Sequence, residues 1–278
     1  MPDSTLTAIH AVMARIRSQH PLIHCLTNNV VKGFTANVLL AIGAAPAMVE
    51  HPEEAREFAA MADALLINLG TLDESQMTAM RRAIPSALTA GKPWVLDPVA
   101  VGALGVRTRF AEEIIAHRPT VIRGNASEIL ALAGESGGGR GVDSGRDSQA
   151  ARTAARALVA KTGATLLVTG AVDYVVDSSR EFAISNGHPL LTRVTGVGCA
   201  MGAINAACLA VADSPGLASV ATAVWLGVAG ELAAKKSPHP GSFQIALLDA
   251  LDAVDEATIR SLARFVESPR GPGFGGAA

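Results

Sequence analysis

Five short, mostly apolar runs, each ending at or followed by a polar residue or a glycine, constrain the fold of this chain most strongly. They span residues 21–26, 64–70, 93–97, 120–124 and 165–170. The run at 64–70 lacks polar alternation, which is the pattern of a strand buried on both faces. Helical periodicity fills most of the intervals between the runs. The alternation predicts an α/β fold, with helix layers on both sides of a mostly parallel central sheet.

The remaining segments predict helices, one hairpin, a glycine-rich loop and a flexible tail. Helices are expected at 4–18, 30–42, 50–61, 75–90, 150–162, up to about 211, 217–235 and 243–264, and an edge hairpin at 173–187. The patch at 134–148, which contains Gly137-Gly138-Gly139, is predicted to be a mobile surface loop without chemistry. No linker divides the chain, so we expect one domain over 1–267 and a flexible Gly- and Pro-rich tail over 268–278.

Composition excludes several classes of function. The net charge is −2 with no concentrated basic run, which argues against binding to nucleic acid or an anionic membrane. Cys25, Cys199 and Cys208 have no C-x-x-C spacing, so neither a disulfide framework nor a zinc site is expected. Residues 1–19 lack a signal-peptide core, and the apolar runs at 197–212 and 219–234 are predicted to be too short to span a membrane. We therefore expect a cytoplasmic protein.

The stretch Thr195-Gly196-Val197-Gly198-Cys199 precedes a segment of small residues. Glycines at the start of a helix expose backbone N–H groups and the positive end of the helix dipole, which together can bind a phosphate. The same field favours a thiolate at Cys199, so the stretch predicts phosphoryl transfer to a hydroxyl. The alternatives are a packing turn with a buried cysteine. A dinucleotide fingerprint through Gly202 is disfavoured because the next segment looks helical.

Two other strand exits carry charged or amide side chains. Asp97 closes one run and is interpreted as a magnesium-side or phosphate-side acid. Arg123 offers a fork of donors to phosphate oxygens, and Asn125 and Glu128 offer oxygen ligands to hydrated Mg²⁺. The alternatives are a cap or turn at Asp97 and a solvated loop capped by Ser127.

Four further residues are candidates for ligand contacts. Thr169 ends a strand and could bind a phosphate or only form a turn. Asn28 lies in a polar loop that could hold a small ligand, or it could cap the next helix. Met48 is either a pocket wall or core filler. Asn68 lies near the carboxyl end of its strand, where open α/β sheets bind ligands.

The ordered set of motifs resembles the ribokinase-like small-molecule kinases, and most closely the hydroxyethylthiazole kinase family of thiamine salvage. The resemblance covers nearly the whole chain. It rests on His24-Cys25-Leu26-Thr27-Asn28, Gly43-Ala44-x-Pro46-x-Met48, Asp97-Pro98-Val99-Ala100-Val101-Gly102, Arg123-Gly124-Asn125-x-x-Glu128, Thr169-Gly170 and Thr195-Gly196-x-Gly198-Cys199.

The resemblance implies a ribokinase-like α/β/α fold and ATP-dependent phosphorylation of the primary hydroxyl of 4-methyl-5-(2-hydroxyethyl)thiazole. It also implies a homotrimer with sites at the subunit contacts, and a catalytic role for Cys199. The other implied roles are Mg²⁺ organisation by Asp97 and Glu128, ATP binding by Arg123, Asn125, Thr169 and Gly198, an anion hole at Gly196 and Gly198, and alcohol binding by Asn28, Met48 and Gly196. Val197 stands where the family often has threonine, so a hydroxyl is missing there.

Two alternatives to this function stay open at the level of the sequence. One is a kinase of another vitamin-related alcohol, such as hydroxymethylpyrimidine or pyridoxal. The other is a nucleotide-binding sensor without catalytic activity.

Overall fold

A computed structural model describes residues 2–135 and 144–269, and this part of the chain contains eleven α-helices and nine strands. The helices are α1 (Pro2–Gln19), α2 (Lys32–Ala41), α3 (Pro52–Met61), α4 (Glu74–Thr89), α5 (Gly105–Ile114), α6 (Ala126–Leu132), α7 (Ser144–Thr162), α8 (Val197–Val211), α9 (Pro215–Lys236), α10 (Pro240–Ala253) and α11 (Glu256–Leu262). The strands are β1 (Leu22–Leu26), β2 (Ala45–Ala47), β3 (Ala64–Asn68), β4 (Trp94–Asp97), β5 (Val121–Asn125), β6 (Thr165–Thr169), β7 (Asp173–Val176), β8 (Arg180–Ile184) and β9 (Phe265–Pro269).

All nine strands form one sheet in the order β2-β1-β3-β4-β5-β6-β7-β8-β9. Strands β1 to β6 are parallel, and β7, β8 and β9 extend the sheet in antiparallel pairs. The five predicted runs became β1, β3, β4, β5 and β6, and the predicted hairpin became β7 and β8. The prediction of a mostly parallel sheet is therefore confirmed.

Helices cover both faces of the sheet and enclose two apolar cores. The core on one face takes buried residues from α1, α2 and α8 to α11. The core on the other face takes buried residues from α3 to α7. Because β3 and β4 contribute side chains to both cores, their sequences are apolar up to their last residues, Asn68 and Asp97. This is the three-layer α/β/α arrangement that the sequence predicts.

Helix α9, with 22 residues, is the longest helix among the described residues and is long and apolar enough to cross a membrane by length and composition alone. The prediction that its apolar run is too short for a span is therefore wrong. Its most apolar window is 78% buried inside the protein, where α9 packs against α8 and α10. The apolar composition of α9 is thus accounted for by its place in the core.

Several predicted boundaries differ from the structure. Helices α5 and α6 were not predicted, and the single helix expected at 243–264 is divided by Val254 and Asp255, the latter capping α11. Helix α7 starts at Ser144, inside the predicted loop, whereas 136–143 lie outside the described residues. Ser268 and Pro269, which were assigned to the tail, belong to β9, and 270–278 are not described.

Candidate active site

The carboxyl ends of five parallel strands carry the polar side chains that the sequence singles out. Asn28 follows β1, Asn68 and Asp97 end β3 and β4, and Arg123 and Thr169 lie near the ends of β5 and β6. Parallel strands bring their carboxyl ends to one edge of the sheet, so these residues converge. The term strand-end rim denotes the set Asn68, Asp97, Arg123, Asn125, Glu128 and Thr169.

Asp97 and Arg123 form a buried ion pair at the centre of the rim. Arg123 Nη1 lies 3.4 Å from Asp97 Oδ1, and Nη2 donates to Thr169 Oγ1 at 3.2 Å. The pKa of Asp97 is raised to about 7, mainly by burial and in part by the Glu128 carboxylate, and Arg123 and Asn68 oppose the rise. Buried negative charge at this point is thus incompletely balanced, and a bound cation would be stabilised there.

Glu128 is fixed by a capping box at the start of α6. Asn125 is the N-cap, its Oδ1 accepts from the Glu128 N–H at 3.0 Å, and Glu128 Oε2 accepts from the Asn125 N–H at 2.9 Å. Glu128 Oε1 accepts from the N–H of Ala100, which has φ of +61°. Ser127 is not the cap, because its hydroxyl donates to Asn125 Oδ1. The alternative of a solvated loop is therefore wrong.

The predicted metal pair, Asp97 and Glu128, fits one mode of cation binding. Each of the four carboxylate oxygens of the pair already accepts a hydrogen bond from one protein donor. In the part of the chain that the structure describes, no three His, Cys, Asp or Glu side chains cluster to hold an ion. A hydrated Mg²⁺ that keeps several waters and uses substrate phosphate oxygens needs only one or two carboxylates. The pair fits such an ion, whereas a cage of protein ligands alone is not present.

Glycines allow the first turn of α8 to approach the rim closely. Gly196 is the N-cap with φ of +93°, a conformation that favours glycine. A Cβ built on Gly198 would lie 3.1 Å from Arg123 Nη2, and one on Gly202 would lie 3.4 Å from Asp97 Oδ2. The start of the helix, with its unpaired N–H groups, is therefore placed directly beside the Arg123 guanidinium, as an anion site requires.

Two amide side chains connect the rim to Cys199. Asn68 Nδ2 donates to Asp97 Oδ2 at 2.7 Å, which leaves Asn68 Oδ1 to accept from Asn28 Nδ2 at 3.1 Å. Asn28 Nδ2 also lies 3.3 Å from Cys199 Sγ, as a donor. Because a carboxylate only accepts, Asp97 fixes the orientation of both amides. Asn28 is more than a turn residue or helix cap: its carbonyl accepts from the Val31 N–H in a turn, but its side chain bonds to Asn68 and Cys199, and Val31 precedes α2 without a side-chain cap.

The expected thiolate at Cys199 is contradicted. Burial raises the pKa of the Cys199 thiol, and the Asp97 carboxylate raises it further, whereas Asn68, Arg123 and Asn28 lower it. The helix terminus was expected to lower this pKa, but the net shift is upward because of desolvation and a nearby buried carboxylate. Cys199 is therefore a neutral thiol at neutral pH.

A cavity of about 640 Å³ opens beside the rim, on the α8 and α9 side of the sheet. All four residues predicted to bind ATP line it, namely Arg123, Asn125, Thr169 and Gly198. The rest of the lining combines the apolar Pro189, Leu191, Met201, Ala223 and Leu226 with the polar Asp173, Asn186, His188 and Thr192. The term polar end denotes the lining at the rim, and the term apolar end denotes the lining that includes Leu191 and Leu226; the combination suits a nucleotide.

The residues predicted to bind the alcohol are less closely grouped. Gly196 contacts α2, since a Cβ on it would lie 2.7 Å from Val31 Cγ1 and 3.3 Å from Phe34 Cδ1. Asn28 reaches Cys199. Met48 follows the edge strand β2 and packs, half-buried, against the core on the α8 face. Its role in alcohol binding stays a prediction.

Sequence reasoning missed several residues of the site. Asn68 was noted by position only, although it links Asp97 to Asn28. Asp173 lines the cavity, accepts from the Gly170 N–H at 2.9 Å, and has its pKa raised to about 6 by burial. The cavity wall, a term that denotes residues 186–192, was also missed; Gly187 and Pro189 were its only sequence signal.

Comparison with known proteins agrees with this geometry. Residues 13–257 match the model of the hydroxyethylthiazole kinase family. A protein of Cronobacter sakazakii named hydroxyethylthiazole kinase is 58% identical over 91% of this chain and 96% of its own length. A protein of the same name from Granulibacter bethesdensis is 52% identical over 92% and 93%.

Solved structures extend the likeness to the fold. A hydroxyethylthiazole kinase protein from Pyrococcus horikoshii superposes with a TM-score of 0.87 at 41% identity, covering 94% of this chain and 98% of that one. A pyridoxal kinase from Staphylococcus aureus in complex with AMP-PCP and pyridoxal shares the fold, with a TM-score of 0.59 at 15% identity over 90% and 98% of the chains. The ribokinase-like fold is thus confirmed, and the chain belongs to the hydroxyethylthiazole kinase family.

Proposed function

We propose that this chain transfers the γ-phosphoryl group of ATP to the primary hydroxyl of 4-methyl-5-(2-hydroxyethyl)thiazole. One observation supports the reaction type above all others: the N-terminal turn of α8 lies against the buried Arg123–Asp97 pair at the polar end of a cavity of nucleotide size. Family membership supports the choice of the thiazole alcohol as acceptor.

The phosphates of ATP are assigned to the polar end of the cavity. The Arg123 guanidinium has five N–H donors and uses two of them on Asp97 and Thr169, so others can reach phosphate oxygens. The backbone N–H groups that follow Gly196 and Gly198 add an anion hole. The base then lies between Leu191 and Leu226 at the apolar end.

Asp97 and Glu128 are proposed to hold Mg²⁺ through water, since their oxygens already accept protein hydrogen bonds. A bound Mg²⁺ would neutralise charge on the phosphates. Asn68 keeps one lone-pair face of Asp97 occupied and so fixes the direction of its carboxylate.

Cys199 is proposed to position the acceptor hydroxyl. As a neutral thiol it does not abstract a proton before transfer, but its sulfur can orient the hydroxyl beside the anion hole. As the new O–P bond forms and ADP leaves, the hydroxyl proton passes to a phosphoryl oxygen or to water. The loose, metaphosphate-like transition state of phosphoryl transfer leaves little covalent work, so positioning and charge neutralisation dominate. Asn28, Met48 and Gly196 are proposed to border the thiazole.

A homotrimer with sites at the subunit contacts is also proposed. Gly196 and Cys199 lie next to α2, which exposes Leu40, while Val30 just before it is 68% exposed. Light scattering after size exclusion tests the trimer, and a monomer that is fully active would contradict it. All three cysteines are free thiols, which supports the proposed cytoplasmic location.

The function is tested by transfer of labelled γ-phosphate from ATP to a panel of alcohols. The thiazole alcohol should be phosphorylated with a higher kcat/KM than hydroxymethylpyrimidine or pyridoxal. A preference for either of the other alcohols would overturn the substrate assignment. Binding of ATP without transfer to any alcohol would instead favour the sensor.

A further inference from the structure

The cavity wall is held against α9 by unusually close packing. A Cβ on Gly227 would lie 2.7 Å from Asn186 Cβ and 2.9 Å from its backbone, and one on Gly230 would lie 2.9 Å from Leu191 Cδ1. Gly227 and Gly230 are three residues apart and share one face of α9. The wall therefore lies in a groove of α9 that any larger residue would fill.

Glu231 follows Gly230 and bonds directly to this wall. Its Oε1 accepts from the Gly187 N–H at 2.8 Å and from Asn186 Nδ2 at 3.1 Å. Asn186 and Gly187 both line the cavity, whereas Glu231 does not. The contacts of Glu231 thus reach the cavity only through the wall.

Arg264 closes the arrangement from the C-terminal side. Its guanidinium donates to Glu231 Oε1 at 2.6 Å and to the Ser185 carbonyl at 3.0 Å, and its backbone N–H donates to Asn186 Oδ1 at 2.7 Å. The Arg264 partner is one cause of the lowered pKa of Glu231, which acts against the larger effect of burial. Three parts of the chain, α9, the wall and the residue before β9, therefore meet at one carboxylate.

We propose that Glu231 is a positioning residue for the nucleotide, which holds the backbone of Asn186 and Gly187 as the wall facing the base end of the cavity. The inference rests on the proposed function, since it names a further determinant of ATP binding at the same site. Without the carboxylate, the Gly187 N–H loses its acceptor and Asn186 Nδ2 keeps only its bond to the Leu262 carbonyl, so the wall is held less firmly in the groove. A purely structural role would lower stability and leave nucleotide affinity unchanged.

The test compares Glu231→Ala, Glu231→Gln and a matched control, Glu181→Ala, in the full chain. Glu181 is also a poorly exposed acid with two arginine partners, Arg152 and Arg156 of α7, and does not line the cavity. Affinity for AMP-PCP with Mg²⁺ is measured by calorimetry, KM for ATP and for the alcohol by steady-state kinetics, and stability by thermal unfolding.

We expect Glu231→Ala to weaken AMP-PCP binding and raise KM for ATP about tenfold, with KM for the alcohol unchanged. Glu231→Gln should retain most of the affinity, with a loss of about threefold, because its amide oxygen still accepts from both wall donors. Glu181→Ala should lower the melting temperature and bind AMP-PCP like the wild type.

Three results would overturn the inference. Wild-type affinity in Glu231→Ala would do so, and so would an equal loss in Glu181→Ala, which would indicate general destabilisation. If Glu231→Ala does not fold, the test rests on Glu231→Gln. A Glu231→Gln variant that binds AMP-PCP as tightly as Glu181→Ala, with wild-type KM for ATP and no threefold loss, would also contradict the inference. Failure of the wild type to bind AMP-PCP would instead remove the proposed function, and this inference with it.

Discussion

The strand-end rim, through Arg123, Asn125 and Thr169, borders the same cavity as the cavity wall, but different forces hold the two in place. The rim consists of charged, amide and hydroxyl side chains that are fixed by hydrogen bonds, and its carboxylates, Asp97 and Glu128, are buried. The wall is placed by close packing against Gly227 and Gly230, with Glu231 as its polar anchor. Charges that develop in a transition state need preorganised partners, whereas a base needs a shaped surface. We therefore expect changes at Asp97 or Cys199 to lower turnover most, and changes in the wall to weaken ATP binding with little effect on turnover.

The largest effect should come from Asp97→Asn. The change removes the buried negative charge that pairs with Arg123 and that is proposed to hold hydrated Mg²⁺, so we expect kcat to fall about 10²- to 10³-fold. Stopped assays of thiazole phosphorylation measure kcat. Asp213→Asn, which alters an exposed ion pair with Arg15, is the control and should leave kcat unchanged. A loss of less than threefold in Asp97→Asn would remove Asp97 from the reaction.

Cys199→Ala should have the next largest effect. It removes the sulfur proposed to orient the acceptor hydroxyl, and we expect kcat to fall about 10²-fold with AMP-PCP affinity unchanged. Cys208→Ala alters a fully buried thiol in the same helix, away from the cavity lining, and controls for packing losses. Unchanged turnover in Cys199→Ala would contradict its role.

Gly227→Ala tests the wall by sterics alone. Its new methyl group would overlap with Asn186, so the wall must shift, and we expect KM for ATP to rise about five- to tenfold with kcat nearly constant. Gly33→Ala in α2 is the control, because nothing lies within 4 Å of the added atom. A change in kcat without a change in KM would show that the wall acts on the chemical step.

The rim could be predicted because its residues end short buried strands, and parallel strands deliver their ends to one edge. Asp97, Arg123 and Thr169 were found in this way, and the glycines before α8 marked the anion site. The pKa of Cys199 could not be predicted, since it depends on burial and on the Asp97 carboxylate, about 100 residues away in sequence. The bridging role of Asn68 depends on contacts of the same kind.

The wall could not be predicted because its contacts join distant segments without a local pattern. Asn186 meets Gly227 on α9 and Arg264 before β9, and neither contact leaves a periodic signal in the sequence. Strand β9 was missed for a related reason. Ser268 and Pro269 have the composition of a flexible tail, and they are in a strand only because β9 pairs with β8. Helix α6 was missed because its capping residues, Asn125 and Glu128, are predicted from the sequence to be Mg²⁺ ligands and not a capping box.

The smallest effect should come from Glu181→Gln, which lies outside both regions. Although burial acts in the opposite direction, Arg156 and Arg152 lower the pKa of Glu181 below its ordinary value of 4.5. Its ionised form therefore stabilises the fold above about pH 4.5, and this contribution is lost as the pH falls through the lowered value. Denaturant unfolding should show a loss of about 1–2 kcal/mol at pH 7 that shrinks in acid, with unchanged kinetics. A loss that does not depend on pH would contradict the ionic account.

The division between the catalytic side of the cavity, which comprises the rim and Cys199, and the wall is tested most directly by one paired measurement on Cys199→Ala and Gly227→Ala. Single-turnover phosphoryl transfer to the thiazole alcohol at saturating ATP is recorded together with the Kd for AMP-PCP. The account predicts a crossed result, in which Cys199→Ala is slow but binds the nucleotide normally and Gly227→Ala binds it weakly but transfers at nearly the wild-type rate. If both variants lose rate and affinity in the same proportion, the division is wrong.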